Sequence, residues 1–178
     1  PMLFMGEEYA ETAPFPYFVD HGDPALIEAV RRGRAEEFAA DPAAGRALDP
    51  ADPATFTSAK LDWSARRSDA QRELWALYRD LIRLRSSEPA LRRSSRATSR
   101  AYAEAGVVTL TRSHEGTTVV ALCNLTSEEA LGHLDPGHCW SELLRATADA
   151  PSTPASDGAV RIRPWGFRLY RSSATPPA

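Results

Sequence analysis

The sequence predicts an α+β fold, with one apolar strand and several helices in its first half and a small antiparallel β-sandwich in its second. Three observations carry this. The chain opens on an apolar run, Pro1-Met2-Leu3-Phe4-Met5, that stops at Gly6-Glu7-Glu8-Tyr9, as a buried parallel strand does where it empties into a loop. Residues 69–87 place apolar side chains at helical spacing. Beyond residue 95 the pattern changes to short runs rich in β-branched residues, separated by turn residues.

Taken in order, residues 1–22 read as a strand followed by an irregular loop. Gly6, Pro14, Pro16 and Gly22 break any periodicity, and Tyr9, Phe15, Tyr17 and Phe18 are interleaved among them. Such rings either pack the loop onto its own scaffold or line a cleft that stacks flat ligands. Asp23-Pro24 supplies an N-cap and a proline at the first helical position. The helix it opens has Leu26, Ile27, Val30 and Phe38 on one side, and arginines alternating with glutamates elsewhere, the pattern of a solvated face. Residues 39–63, with Pro42, Pro50 and Pro53, read as a connector ending at Lys60-Leu61-Asp62-Trp63. Ser68-Asp69-Ala70-Gln71 is a capping box. After it, Leu74, Leu77, Tyr78, Leu81 and Leu84 mark an amphipathic helix over 69–87 that must end before Pro89, its leucine and aromatic face directed to a core.

The second half begins with Ala101–Glu104. A hairpin follows, Val107–Thr111 and Thr118–Leu122, turning through Ser113-His114-Glu115-Gly116. Segments near Trp140–Leu144, Val160–Arg163 and Phe167–Tyr170 complete five or six short strands. Ser172–Ala178 reads as a frayed tail.

Composition sets the outer bounds. The 178 residues suit one domain, or a domain and a piece of another, and 43% hydrophobic residues suffice for a core. A net charge of -3 argues against a broad electrostatic grip on nucleic acid, and no apolar stretch approaches the ~18 residues of a membrane span. The opening run has no basic flank or small-residue cleavage site, so it does not read as a signal peptide, and a cytoplasmic location is expected. Cys123 and Cys139 sit beside Leu122 and Trp140 and read as buried free thiols, with a disulfide or a metal pair as alternatives. His21, His114, His133 and His138 lack metal-ligand spacing, and the last three read as solvated. No Gly-rich phosphate loop or Gly-x-Ser-x-Gly elbow occurs.

Carboxylates and aromatics concentrate in the opening: Glu7, Glu8, Glu11, Asp20 and Asp23. Glycosidic hydrolysis needs two carboxyl groups flanking the scissile bond. Adjacent residues of an extended chain point to opposite faces, so Glu7 and Glu8 do not read as that pair.

Pro1-Met2-Leu3-Phe4-Met5-Gly6-Glu7-Glu8-Tyr9 resembles the eighth barrel strand and following loop of the alpha-amylase clan of glycoside hydrolases. The helix Leu74–Arg85, followed by Pro89-Ala90-Leu91, resembles the clan's last barrel helix. Within the clan, Glu11-Thr12-Ala13-Pro14-Phe15, Tyr17-Phe18 and Asp20-His21, together with Thr55-Phe56 and Ser58–Trp63, look most like the malto-oligosyltrehalose trehalohydrolases. Glycogen branching enzymes are the nearest competitor.

The resemblance implies the last strand and helices of a (β/α)8 barrel over residues 1–94 and a C-terminal β-sandwich over 95–178. It implies a retaining hydrolase that releases trehalose from malto-oligosyltrehalose, or acts on a related alpha-glucan, without metal or organic cofactor. The family's aspartate nucleophile, glutamate acid/base and second aspartate lie on earlier strands and have no counterpart here. The segment is therefore expected to need a missing N-terminal barrel segment as partner and to be inactive alone. Its rim residues Glu7, Glu8, Tyr9, Phe15, Phe18, Asp20 and His21 are the expected substrate contacts. A non-catalytic glucan-binding or structural module remains an alternative. A third reading, an anion or nucleic-acid binder using Arg31, Arg32, Arg34, Arg92, Arg93, Arg96 and Arg100, fits the acidic net charge poorly.

Overall fold

In the computed structural model the described residues are 2–40, 48–64, 68–93, 95–146 and 150–173. The chain divides into two compact units, Pro1–Leu74 and Trp75–Ala178. Among the described residues, the first unit holds helices and no strand, and the second holds every strand together with further helix.

The first unit departs from expectation at its start. Residues 2–4 are not a strand, Met2 is 97% exposed, and a turn leads into one 3-10 turn at Glu7–Tyr9. A parallel strand is held by hydrogen bonds to neighbouring strands, and the described residues of this unit contain none. The first helix, α1 (Pro24–Ala40), starts where the Asp-Pro signal places it, the Asp23 carboxylate accepting from the Ala25 amide at 2.8 Å. Residues 41–47 of the expected connector lie outside the described residues. The rest of it is not irregular throughout, because α2 (Pro53–Ser58) forms a short helix. Its signal is the same Asp-Pro pair: the Asp52 carboxylate caps the Ala54 amide at 2.8 Å, with Pro53 in the first turn. Six residues are too few for periodicity to betray them.

Helix α3 (Asp69–Ser87) has the expected bounds. Ser68 Oγ accepts from the Gln71 amide (3.2 Å) and donates to Gln71 Oε1 (2.7 Å), so the glutamine side chain engages the serine hydroxyl and not the backbone. Its apolar face is not the core that the spacing suggested. No residue of α3 is buried, and Trp75, Leu81 and Ile82 are each exposed by 38–44%. The spacing describes a helix built to be covered, and among the described residues little covers it.

The second unit is a sheet with one helical turn on one face and a smaller sheet on the other. After α4 (Pro89–Arg92) come β1 (Ser99–Glu104), β2 (Val107–His114), β3 (Thr117–Asn124), β4 (Ala130–His133), β5 (Cys139–Arg145), β6 (Ala159–Ile162) and β7 (Phe167–Ser173). The large sheet has the order β1-β2-β3-β7-β5, and β4 pairs with β6; every pairing is antiparallel. Both hairpin turns, Ala105-Gly106 and Glu115-Gly116, are two-residue loops with positive φ at each position, the mirror-type turns that match strand twist. β4 escaped the sequence reading because Ala-Leu-Gly-His has neither alternation nor β-branched residues. It places His133 on a strand, though exposed.

One face of the large sheet supplies Val107, Val120, Leu122 and Tyr170, which pack with Val160 and Ile162 of the small sheet. The opposite face, through Val119 and Leu169, is covered by Ala90, Leu91 and Leu84. Asn124, wholly buried, ties the sheets' ends together: its amide donates to the carbonyls of Glu128, Ile162 and Arg163 at 2.7–3.2 Å, while its oxygen accepts from Thr126. Cys123 is half-buried and Cys139 exposed, both free thiols, so the expected pair of buried thiols holds for neither in full. Burial raises the Cys123 thiol pKa.

Candidate functional site

The expected site residues all fall in the first unit, and the Glu11 carboxylate organises the turn that carries the first three of them. The backbone turns at Gly6 (φ +87°) into the Glu7–Tyr9 turn, and Ala10 (φ 53°) closes it by donating to the Glu7 carbonyl at 3.2 Å. The Glu11 amide then returns to the Gly6 carbonyl at 3.0 Å. A side chain at position 6 has no room, since its Cβ would stand 2.6 Å from Glu11 Cβ. Glu11 Oε1 accepts from the amides of Thr12 (2.7 Å) and Ala13 (2.8 Å); Oε2 accepts from the Asp62 amide (2.7 Å) and the Tyr9 hydroxyl (3.3 Å). These donors, the Ala13 amide foremost, hold the carboxyl below its ordinary pKa against a smaller opposing desolvation.

Glu11 thus joins two stretches some fifty residues apart, Gly6–Tyr9 and Lys60–Trp63, and the Tyr9 and Trp63 rings lie 6.1 Å apart beside the junction. Composition pointed to Glu11 as one acid among several. Its role as the hub was not legible, because nothing in the spacing foretold a bond to the Asp62 amide.

The expected substrate residues separate into three groups. Phe15 and Phe18 line one groove of about 390 Å³, with Met5, Tyr17, Phe56 and Lys60. Phe18 packs on Phe56 at 5.4 Å between centroids, and the Lys60 ammonium lies 5.4 Å from the centre of the Phe56 ring. Phe15 is held edge-on by Phe4 at 5.0 Å. Glu7 and Glu8 sit half-buried on the 3-10 turn, where successive side chains diverge by roughly 120°. They are not opposed as in an extended strand, and Glu8 has no ion-pair or hydrogen-bond partner among the described residues. Tyr9 is fully buried, while Asp20 and His21 are exposed beyond the groove.

Sequence reasoning missed Met5, Phe56 and Lys60 as groove residues; Thr55-Phe56 and Lys60 were visible only as parts of the resemblance. The loop is fixed from below by the Val19 amide on the Pro50 carbonyl (2.8 Å), and the Asp49 turn is fixed by Arg31 Nε, which shares its proton between both Asp49 oxygens (2.9 and 3.1 Å). That pair lowers the Asp49 pKa and raises that of Arg31. A smaller groove of about 260 Å³ adjoins, where the Arg34 guanidinium lies about 5 Å from the rings of Tyr17 and Phe38.

Chemically, the larger groove offers aromatic faces and one cation, Lys60, among the described lining residues. It can hold a ring with apolar faces and polar edges; its described lining residues include no carboxyl group. No group of three or more His, Cys, Asp or Glu side chains among the described residues is arranged to hold a metal. No described helix is long and apolar enough to cross a membrane.

No family model matches the chain. It is 48% identical over 96 residues to the malto-oligosyltrehalose trehalohydrolase of Rhizobium sp. strain M-11, a match covering 52% of this chain and 16% of that protein. The enzyme of the same name from Mycobacterium tuberculosis is 46% identical over 88 residues, 49% of this chain and 15% of the relative. The matched region therefore spans about a sixth of the curated relatives' length. Among solved structures, one assigned as an alpha amylase from Salmonella typhimurium superposes with a TM-score of 0.74 at 28% identity, over 96% of this chain and 27% of that one. The trehalulose synthase MutB of Pseudomonas mesoacidophila MX-45 matches with a TM-score of 0.58 at 22% identity, over 97% of this chain and 35% of that one, a likeness of fold alone. A MutB variant of the same fold is solved with its substrate sucrose (TM-score 0.60, 24% identity, 97% of this chain and 35% of that one). The resemblance read from the residues is thus the one that the comparisons return.

Proposed function

We propose that this chain, similar in sequence to the malto-oligosyltrehalose trehalohydrolases, is the C-terminal portion of such an enzyme. Residues 1–94 would form the end of a catalytic (β/α)8 barrel and residues 95–178 a β-sandwich that follows it. The intact protein would be a cytoplasmic glycoside hydrolase of trehalose biosynthesis, cleaving the alpha-1,4-glucosidic bond next to the terminal trehalose unit of malto-oligosyltrehalose.

The observation that carries this reading is the junction at Glu11. The two stretches on which the resemblance rests meet there, and beside them Phe15 and Phe18 line an open aromatic groove. Barrel enzymes place their sites on the loops after the strands, and a loop tied down in this way holds its side chains in register with a substrate. Glu7, Glu8, Tyr9, Phe15, Phe18, Asp20 and His21 are the proposed rim, Tyr9 acting from its buried position by fixing Glu11 and the others by contact. The catalytic carboxylates come from outside this segment, and the segment alone is inactive. In the same reading, the exposed Met2–Met5 run and the open face of α3 are surfaces that the remaining barrel covers.

The test is product analysis of the intact gene product with maltotriosyltrehalose. Release of free trehalose supports the reading. No trehalose, with new alpha-1,6 branches on a linear alpha-glucan instead, would establish the branching-enzyme alternative.

A further inference from the structure

The second unit carries a groove of about 480 Å³ that the proposed reaction does not use. It lies on the face of the large sheet that elsewhere packs against β4 and β6. The small sheet has two strands of four residues and covers only part of that face. Where cover is complete the inward residues are Val107, Leu122 and Tyr170, with Val120 at the edge of the groove. Where it stops, the same alternation places Thr109, Thr111 and Ser113 on β2, opposite Tyr102 and Arg100 on β1 and Thr118 on β3. Strand residues two apart share a face, so this is a continuous hydroxyl-bearing strip flanked by an exposed tyrosine and an arginine.

The far wall is pre-set. Trp140 donates its indole N–H to the Asp135 carbonyl at 2.7 Å, leaving its ring faces as its means of contact. His138 lies 3.2 Å from the Asp135 carboxylate and 5.8 Å, ring to ring, from Trp140.

Two features point to a ligand. Thr109 is 5% exposed, lines both this groove and a smaller one beside it, and its hydroxyl has no hydrogen-bond partner among the described residues. A buried hydroxyl left unpaired is unfavourable unless something satisfies it. Arg100 likewise has no ion-pair partner among the described residues. The lining holds one guanidinium, Arg100, and one carboxylate, Asp135, the latter engaged by His138 and the Gly137 amide, and a single exposed guanidinium is no built anion site. Aromatic faces, hydroxyls and one planar donor fork are the complement of a ring with apolar faces and hydroxyl edges. We propose that this groove is a second binding site, for a neutral oligosaccharide.

The experiment is amide and indole NMR titration of the full chain with maltotetraose, to roughly 20 mM, a concentration that fills a millimolar site. Saturable shifts at Tyr102, Thr109 and the Trp140 indole are expected. Tyr102→Ala and Thr109→Val should each weaken binding about tenfold. Thr109→Val, which replaces an unpaired buried hydroxyl by a methyl, should leave the thermal midpoint unchanged or raised. That combination is not what loss of a structural residue produces. Arg100→Gln, an exposed strand substitution, gives a second variant with the fold undisturbed and a severalfold loss. No saturable shift, shifts confined to residues 2–64, or unchanged affinity in Tyr102→Ala and Thr109→Val would overturn the proposal. Trehalose release is not the readout, so this outcome is independent of the proposed reaction.

Discussion

Glu11 is the residue on which the first unit turns. Its carboxyl is held below the ordinary range, so it contributes stability that is fully present above the unfolded pKa and is lost as pH falls through the folded one. We predict that the urea midpoint of the chain falls on acidification below about pH 4.3, and that Glu11→Gln flattens that acid limb; titration at stepped pH checks both. Gly6 is bound to the same hub. Gly6→Ala meets both the positive φ and the Glu11 Cβ, and should cost about 1–3 kcal/mol by thermal or urea unfolding. In the second unit Asn124 satisfies five partners from a fully buried position. Asn124→Ala leaves those groups unpaired, at about 1–3 kcal/mol for each that water cannot reach. Asn124→Asp should be worse than alanine, because a carboxylate would then face three carbonyl oxygens; the ranking of the two urea midpoints decides it.

Among the elements, the β5–β7 pair carries a buried ion pair. Arg168 Nη1 lies 2.6 Å from Glu142, both side chains under a tenth exposed, and the guanidinium also donates to the carbonyls of Arg161 and Ala150. Glu142 keeps Arg145 Nη1 at 3.0 Å and the Ser152 amide at 3.3 Å when Arg168 is lost, so Arg168→Met should cost about 3 kcal/mol, the low end for a broken buried pair, with the Glu142→Gln double variant recovering part of it. Double-mutant unfolding measures that recovery. Elements with their own local signal were legible: Asp23-Pro24 opened α1, Ser68 capped α3, and the β-branched runs of β2 and β3 with their Gly-containing turn specified a hairpin. What was not legible depended on partners. The apolar run at residues 2–5 is a strand only where neighbours supply hydrogen bonds, and the α3 stripe is core only where something covers it. Ala130–His133 became β4 by pairing with β6, with no propensity of its own. The candidate site divides the same way. Its aromatics were visible as composition, whereas the Glu11–Asp62 link and the arrival of Phe56 and Lys60 beside Phe18 required the fold.

At the scale of the molecule, the main grooves of the two compact units differ in chemistry: aromatic with one lysine in the first, hydroxyl-lined with one arginine in the second. The similarity to trehalohydrolases over half the chain, and the fold match to an alpha amylase over nearly all of it, make the first groove the proposed rim of a larger active site. If α3 is covered in the intact protein, Ile82→Ser should change the stability of this chain by under about 0.5 kcal/mol. In the intact gene product the same substitution should cost about 1.5–3 kcal/mol, the worth of a fully buried side chain; unfolding of both decides it. The most direct test of the central claim is the steady-state rate of trehalose release from maltotriosyltrehalose by the intact gene product and its Phe15→Ala variant. The account predicts trehalose as product and a KM raised about tenfold by the loss of one stacking ring. Absence of trehalose, or a KM that Phe15→Ala leaves unmoved, would contradict it.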